Sequence, residues 1–122
     1  MLKNINETVV DEVWHHDYFQ ICKNRISKEA YLKMLKEVHK FIDTTKKLNT
    51  NLIVKKIIPK VDWRHSLWNE AYTQACSSDD CYSAQFVGLL VLQELMKRED
   101  TWYFIKKDVA SNMIYFNRET VT

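Results

Sequence analysis

The sequence predicts an all-α fold: a single-domain bundle of five or six helices around one buried central helix. Three observations point there. First, Asp80 to Met96 (DCYSAQFVGLLVLQELM) is apolar on nearly every side of a helix, with only Gln85, Gln93 and Glu94 as clearly polar positions on its surface. Such a helix is buried or spans a membrane, and this run falls short of the roughly 20 apolar residues a span needs. Second, the 122 residues contain one glycine (Gly88) and one proline (Pro59), where average usage would give roughly eight and six. Tight turns need glycine. Third, residues 28–48 carry Tyr31, Leu35, Val38, Ile42 and Thr45 at alternating steps of four and three, the seam of packed helices.

Taken in order, Asn6 to Lys23 reads as the first helix. Val9, Val10, Val13, Trp14, Tyr18 and Ile21 fill one arc at about 100° per residue, with Asp17 inside that arc and Glu12, His15 and Phe19 opposite it. Ser27 is an N-cap residue for the second helix, with Glu29 well placed in its first turn. Met34 and Phe41 widen the seam, and Lys33, Lys36, Lys40 and Lys47 lie on the other face.

Leu52 to Ile58 (LIVKKII) suits either a strand or a helical turn. A short helix is expected, because a lone strand would have no partner in an all-α chain, and Pro59 ends the run either way. Asp62 can cap a helix over Trp63 to Cys76, whose arc holds Trp63, Leu67, Trp68, Ala71, Tyr72 and Ala75, with Arg64 near its middle. Ser77 to Asp80 then forms a loop whose two acids can cap the central helix. Thr101 to Asn117 is read as a last helix with Trp102, Ile105, Val109, Met113 and Phe116 on one stripe. The alternative is an α+β fold with a C-terminal hairpin, in which TWYFIK and NMIYFN are strands around a polar loop.

Composition excludes several functions. Glycine scarcity removes phosphate-binding and dinucleotide-binding loops, which need several glycines. Net charge is +2, which by itself specifies no partner. Its distribution is uneven: residues 25–60 carry ten Lys/Arg against three acids, and residues 61–101 carry three against seven. The cysteines are Cys22, Cys76 and Cys81. An odd count, and an N-terminal MLKNINETVV without the apolar core of an export signal, predict reduced thiols and a cytoplasmic location. Cys76 and Cys81 could close a small loop if oxidised.

No constellation specifies a chemistry. Glu12 and His15 have the Glu-x-x-His spacing of di-iron bundles, loosely repeated by Asp62 and His65, but the first pair falls on a polar helix face. Cys76, Cys81 and a histidine lack the spacing of a zinc site. Cys81, at a helix N-terminus, is the best-placed thiol for activation, with no histidine marked to pair with it. No metal, cofactor or catalytic residue is therefore expected. Asp17 and Arg64, both inside apolar arcs, are expected to pair across two helices.

By elimination the sequence predicts a non-catalytic protein-binding protein of inhibitor type, the class to which immunity proteins and antitoxins that neutralise a cognate toxin belong. The expected partner-facing residues are the acids Glu70, Asp79, Asp80 and Glu94, with Glu99 and Asp100 in the same acidic segment, and the aromatics Phe104 and Tyr115, which lie off the stripe of the last helix. The alternative is a nucleic-acid-associated accessory protein using Lys55, Lys56, Lys60 and Arg64, where a cationic cluster next to Trp63 would attract phosphate and offer stacking.

Overall fold

A computed structural model describes residues 1–12, 14–59, 62–105 and 110–117. The fold is α+β, as in the hairpin alternative, and the all-α bundle is overturned by a mixed four-stranded sheet. Its strands are β1 (Leu2–Asn4), β2 (Leu52–Ile53), β3 (Trp102–Ile105) and β4 (Ile114–Asn117), in the order β1-β3-β4-β2. β1 runs parallel to β3, with Leu2 opposite Trp102, while β3–β4 and β2–β4 are antiparallel. The helices are α1 (His16–Asn24), α2 (Lys28–Leu48) and α3 (Asp80–Lys97). Among the described residues no helix is long and apolar enough to cross a membrane.

The sheet explains the departures from the predicted bundle at Leu2–Asn4, at Leu52–Ile53 and after Thr101. Leu2–Asn4 joins the sheet, and the chain then reverses. Asn4 Oδ1 accepts from the amides of Asn6 (2.9 Å) and Thr8 (3.0 Å), a local bonding habit of asparagine that competes with helix. Glu7 takes a positive φ, and Val9 bridges back to Lys3. The first helix therefore starts only at His16, after His15 in the left-handed region (φ 51°). Leu52 and Ile53 have the strand partner that an all-α chain would deny them, pairing with Tyr115 and Ile114 before a 3-10 turn over Val54–Lys56. Of the expected helix over residues 63–76 only the second half is helical: turns over 63–68 lead through Asn69 and Glu70 into one π turn, Ala71–Ala75. There the Cys76 amide reaches the Ala71 carbonyl at 3.1 Å, five residues back. Trp102–Ile105 and Ile114–Asn117, expected in one helix, are antiparallel strands. Val13, Lys60, Val61 and Val109 lie outside the described residues.

Two helices match their sequence signals. Ser27 caps α2, its hydroxyl accepting from the Ala30 amide at 3.2 Å, and Asn49 ends it in the left-handed region. Met34, Val38, Ile42 and Thr45 are buried along the seam. Asp79 caps α3 through the Tyr82 amide at 2.9 Å, and residues 86–92 of α3 are buried on every side.

Register and alternation place Leu2, Leu52, Trp102, Phe104 and Tyr115 on one sheet face. These side chains share one core with α2 and α3. Lys3, Ile53, Tyr103, Ile114 and Phe116 project from the other face, where Tyr103 stacks on Phe116 at 5.5 Å. α1 is fixed to α3 by Phe19 on Phe86, stacked at 5.2 Å. Phe19, expected on a polar face, is fully buried.

Candidate interaction surface at the start of helix α3

Three clefts meet around the first turns of α3. One, of about 350 Å³, lies between α1 and α3 and is lined by Tyr18, Ile21, Cys22, Cys76, Asp79 and Tyr82 among others. The second, about 400 Å³, is bounded by Ile58, Pro59, Trp63, Asp80, Cys81 and Gln85. The third, about 310 Å³, is bounded by Asp62, Trp63, Arg64, His65, Tyr72 and Asp80. Asp80 and Trp63 belong to both of the last two.

Local chemistry builds this end of the molecule. The π turn and two consecutive left-handed residues, Ser77 (φ 52°) and Ser78 (φ 59°), turn the chain sharply into α3. The Ser78 amide closes the turn on the Tyr72 carbonyl at 2.7 Å. Trp63 lies flat on Tyr72 at 5.7 Å, and the Arg64 guanidinium sits 5.4 Å from the centre of the Tyr72 ring. The favourable face of an aromatic ring and a cation attract each other. His65 Nδ1 is 2.8 Å from Asp62 Oδ1 on the open surface. On the α1 side, the Tyr18 hydroxyl donates to the Tyr82 carbonyl at 2.9 Å and lies 3.9 Å from Cys76 Sγ.

Inside the α1 cleft the phenol and thiol groups are held in their neutral forms, while Arg25 and Asp79 line the same cleft. Burial, then the nearby Cys76 and Cys22, pushes the Tyr18 phenol well above its ordinary value. Burial, then Cys22, pushes the Cys76 thiol up to about 11. A thiol so raised is a poor nucleophile at neutral pH. Cys76 meets Tyr18, and Cys22 faces the Ala75 carbonyl at 4.0 Å. Among the described residues no group of three or more His, Cys, Asp or Glu side chains is arranged to hold a metal ion.

The predicted partner-facing residues scatter. Asp80 is exposed and faces two of the clefts. Asp79 is exposed beside the α1 cleft but is committed to capping α3. Glu70 accepts from the Ser27 amide (2.9 Å) and hydroxyl (2.8 Å), tying the start of α2 to the segment before the π turn. Glu94, expected on a wet helix side, is 5% exposed and bonded to His39. Phe104 and Tyr115, expected at the surface, face inward from the sheet, edge-on to each other at 6.4 Å. Their outward appearance came from placing them on a helix. Of the other acids, Asp100 is buried against Arg98 and Lys46, and Glu99 is exposed.

The basic set is also divided. Lys55 and Lys56 are exposed on the 3-10 turn, Arg64 is turned onto Tyr72 and Ser78, and Lys60 lies outside the described residues. Trp63 is buried and stacked on Tyr72, so it does not offer a free ring to a base. Asp17 and Arg64 are both exposed, and the expected buried pair between them is absent. Sequence reasoning missed Tyr82 (60% exposed) and Ile21 (53% exposed). Both were read as core positions, and no local signal distinguishes them from their buried neighbours.

Comparison with protein-family models, with curated proteins and with solved structures finds no match.

Proposed function

We propose that the chain is a small non-catalytic protein-binding protein, an inhibitor of the immunity-protein or antitoxin type that engages a cognate toxin through the surface at the start of α3. The observation that carries this reading is the pair of exposed apolar side chains, Tyr82 and Ile21, on the rim of the α1 cleft. Arg64 and Tyr72 lie close by on the same end of the molecule. Tyrosine, tryptophan and arginine beside a cleft are the side chains that dominate binding energy at protein interfaces. Asp62, Asp79 and Asp80 are exposed around them and suit a partner with a cationic face, such as a nuclease domain whose basic surface would otherwise hold nucleic acid. Acids so placed steer association and select the partner more than they add affinity.

The test is co-expression with the product of the adjacent reading frame, followed by growth measurement and isolation of a complex. Tyr82→Ala combined with Asp80→Lys should weaken the complex at least tenfold, about 1.4 kcal/mol, while Lys36→Ala on the exposed side of α2 should not. A neighbouring product that is neither toxic nor bound would sink the reading. Retention on nucleic acid that falls steeply with salt and is lost in Lys55→Glu/Lys56→Glu would replace it with the nucleic-acid alternative.

A further inference from the structure

Cys22 and Cys76 are brought together by the fold, although 53 residues separate them. Cys22 stands in the second turn of α1, and Cys76 follows the π turn directly. Both are buried free thiols, and both line the cleft between α1 and α3. Cys22 Sγ lies 4.0 Å from the carbonyl oxygen of Ala75, the residue next to Cys76. The Tyr18 hydroxyl lies 3.9 Å from Cys76 Sγ. Cys81 is exposed and borders a different cleft. Sequence proximity suggests pairing Cys76 with Cys81, but the cleft that Cys76 lines is shared with Cys22 and not with Cys81.

The backbone that carries Cys76 is irregular on both sides, with the π turn before it and two left-handed residues after it. Such a segment has room to adjust toward disulfide geometry, which needs Cβ atoms about 3.5–4.5 Å apart. We propose that Cys22 and Cys76 are an oxidation site, converted by a hydroperoxide into an intramolecular disulfide. One sulfur, as thiolate, attacks a peroxide oxygen. The O–O bond breaks, an S–O bond forms, and water or an alcohol leaves. The second sulfur then displaces hydroxide from the resulting sulfenic acid, which departs as water. The two thiols together lose two electrons and two protons, and the peroxide is reduced by the same two electrons. The cleft gives a small peroxide its path to sulfurs that are otherwise covered. Because burial holds the Cys76 thiol at about 11, oxidation is slow near neutral pH and accelerates as the solution becomes alkaline. The site is independent of the protein-binding reading and stands or falls separately.

The experiment treats the folded chain with hydrogen peroxide, as wild type and in a Cys81→Ser background that removes the exposed thiol. Free thiols are alkylated, the chain is digested, and the peptides are weighed. The expected product joins the Cys22 and Cys76 peptides with the loss of two hydrogen atoms, is reversed by dithiothreitol, and forms at least tenfold faster at pH 9 than at pH 7. Cys22 and Cys76 that both remain alkylatable, under exposure that oxidises the same chain in urea, would overturn the proposal. So would a Cys76–Cys81 link in the wild type, or Cys76 carried to sulfinic acid without a cross-link.

Discussion

His39 Nε2 on α2 meets Glu94 Oε1 on α3 at 2.9 Å, at the edge of the core. The neighbouring Arg98 Nη1 is 3.5 Å from His39 Nδ1. A guanidinium only donates, so Nδ1 accepts and the proton on Nε2 is donated to Glu94. The other carboxylate oxygen of Glu94 is buried, with the Lys97 ammonium 3.4 Å away but no hydrogen bond to it. His39→Ala removes the single hydrogen bond that this carboxylate accepts among the described residues. It should destabilise the fold by roughly 1–3 kcal/mol, the cost of leaving a buried acceptor unpaired. Adding Glu94→Leu should restore part of that loss, because it removes the buried carboxylate that His39→Ala leaves without a donor. Urea midpoints of both variants test this; a double variant weaker than His39→Ala alone would contradict it.

Asp100 gives the fold a pH dependence of definite sign. Burial by itself raises its carboxyl, but hydrogen bonds from Arg98 (both at 2.9 Å) and Lys46 (3.1 Å) outweigh burial and bring it down to about 2. A depressed folded value means that the pairing stabilises fully above the unfolded value near 4. It is lost progressively as pH falls from there through about 2. Asp100→Asn should therefore cost about 2 kcal/mol at pH 7, and the gap from wild type should close between pH 4 and pH 2. Denaturation curves at pH 7, 4 and 2.5 measure it, and a gap that widens on acidification would show the sign to be wrong.

How far the fold was legible depended on whether the deciding contact was local. Ser27 and Asp79 cap helices through bonds within three residues, and α2 and α3 could be read from spacing and burial alone. The sheet could not. β1 joins β3 across a hundred residues, and β2 waits on β4 for a partner. Trp102–Ile105 and Ile114–Asn117 also bear bulky apolar side chains on both sheet faces, so strand alternation is hidden and a helical stripe fits them too. The site suffered the same way. Glu94, Phe104 and Tyr115 were placed by helical faces that the chain does not present as expected, whereas Asp80 was legible because a helix start is a local property.

Asp17 shows the consequence for a single residue. Set inside an apolar arc by spacing, it is expected from the sequence to pair with Arg64. In the structure α1 begins only at His16, and Asp17 is exposed in its first turn. Asp17→Ala should then change stability by no more than about 0.5 kcal/mol, the usual range for surface positions, with a slight loss from the helix dipole. Thermal melts suffice. A loss of several kcal/mol would revive the buried pair.

At Gly88 the 3-10 turn Ala110–Asn112 lies directly against α3. A Cβ built on it would lie 2.5 Å from the Ala110 carbonyl carbon and 2.6 Å from the Ser111 nitrogen, in the 3-10 turn Ala110–Asn112 that leads into β4. The neighbouring atoms are backbone rather than side chain. Two opposed effects decide Gly88→Ala. Replacing glycine inside a helix gains about 1 kcal/mol of propensity. Against that, backbone cannot rotate away as a side-chain tip can, so α3 and the turn must separate, and overpacking of this kind costs typically 1–3 kcal/mol and occasionally more. Because the contacts are with backbone at 2.5–2.7 Å, the steric term should fall at its upper end and win, with a net loss of up to about 2 kcal/mol. Gly88→Ser should be at least as costly, since its hydroxyl adds volume without relieving the clash. Chemical denaturation of the two variants settles the sign: stabilisation by alanine would mean that the turn does not rest on α3 at this point.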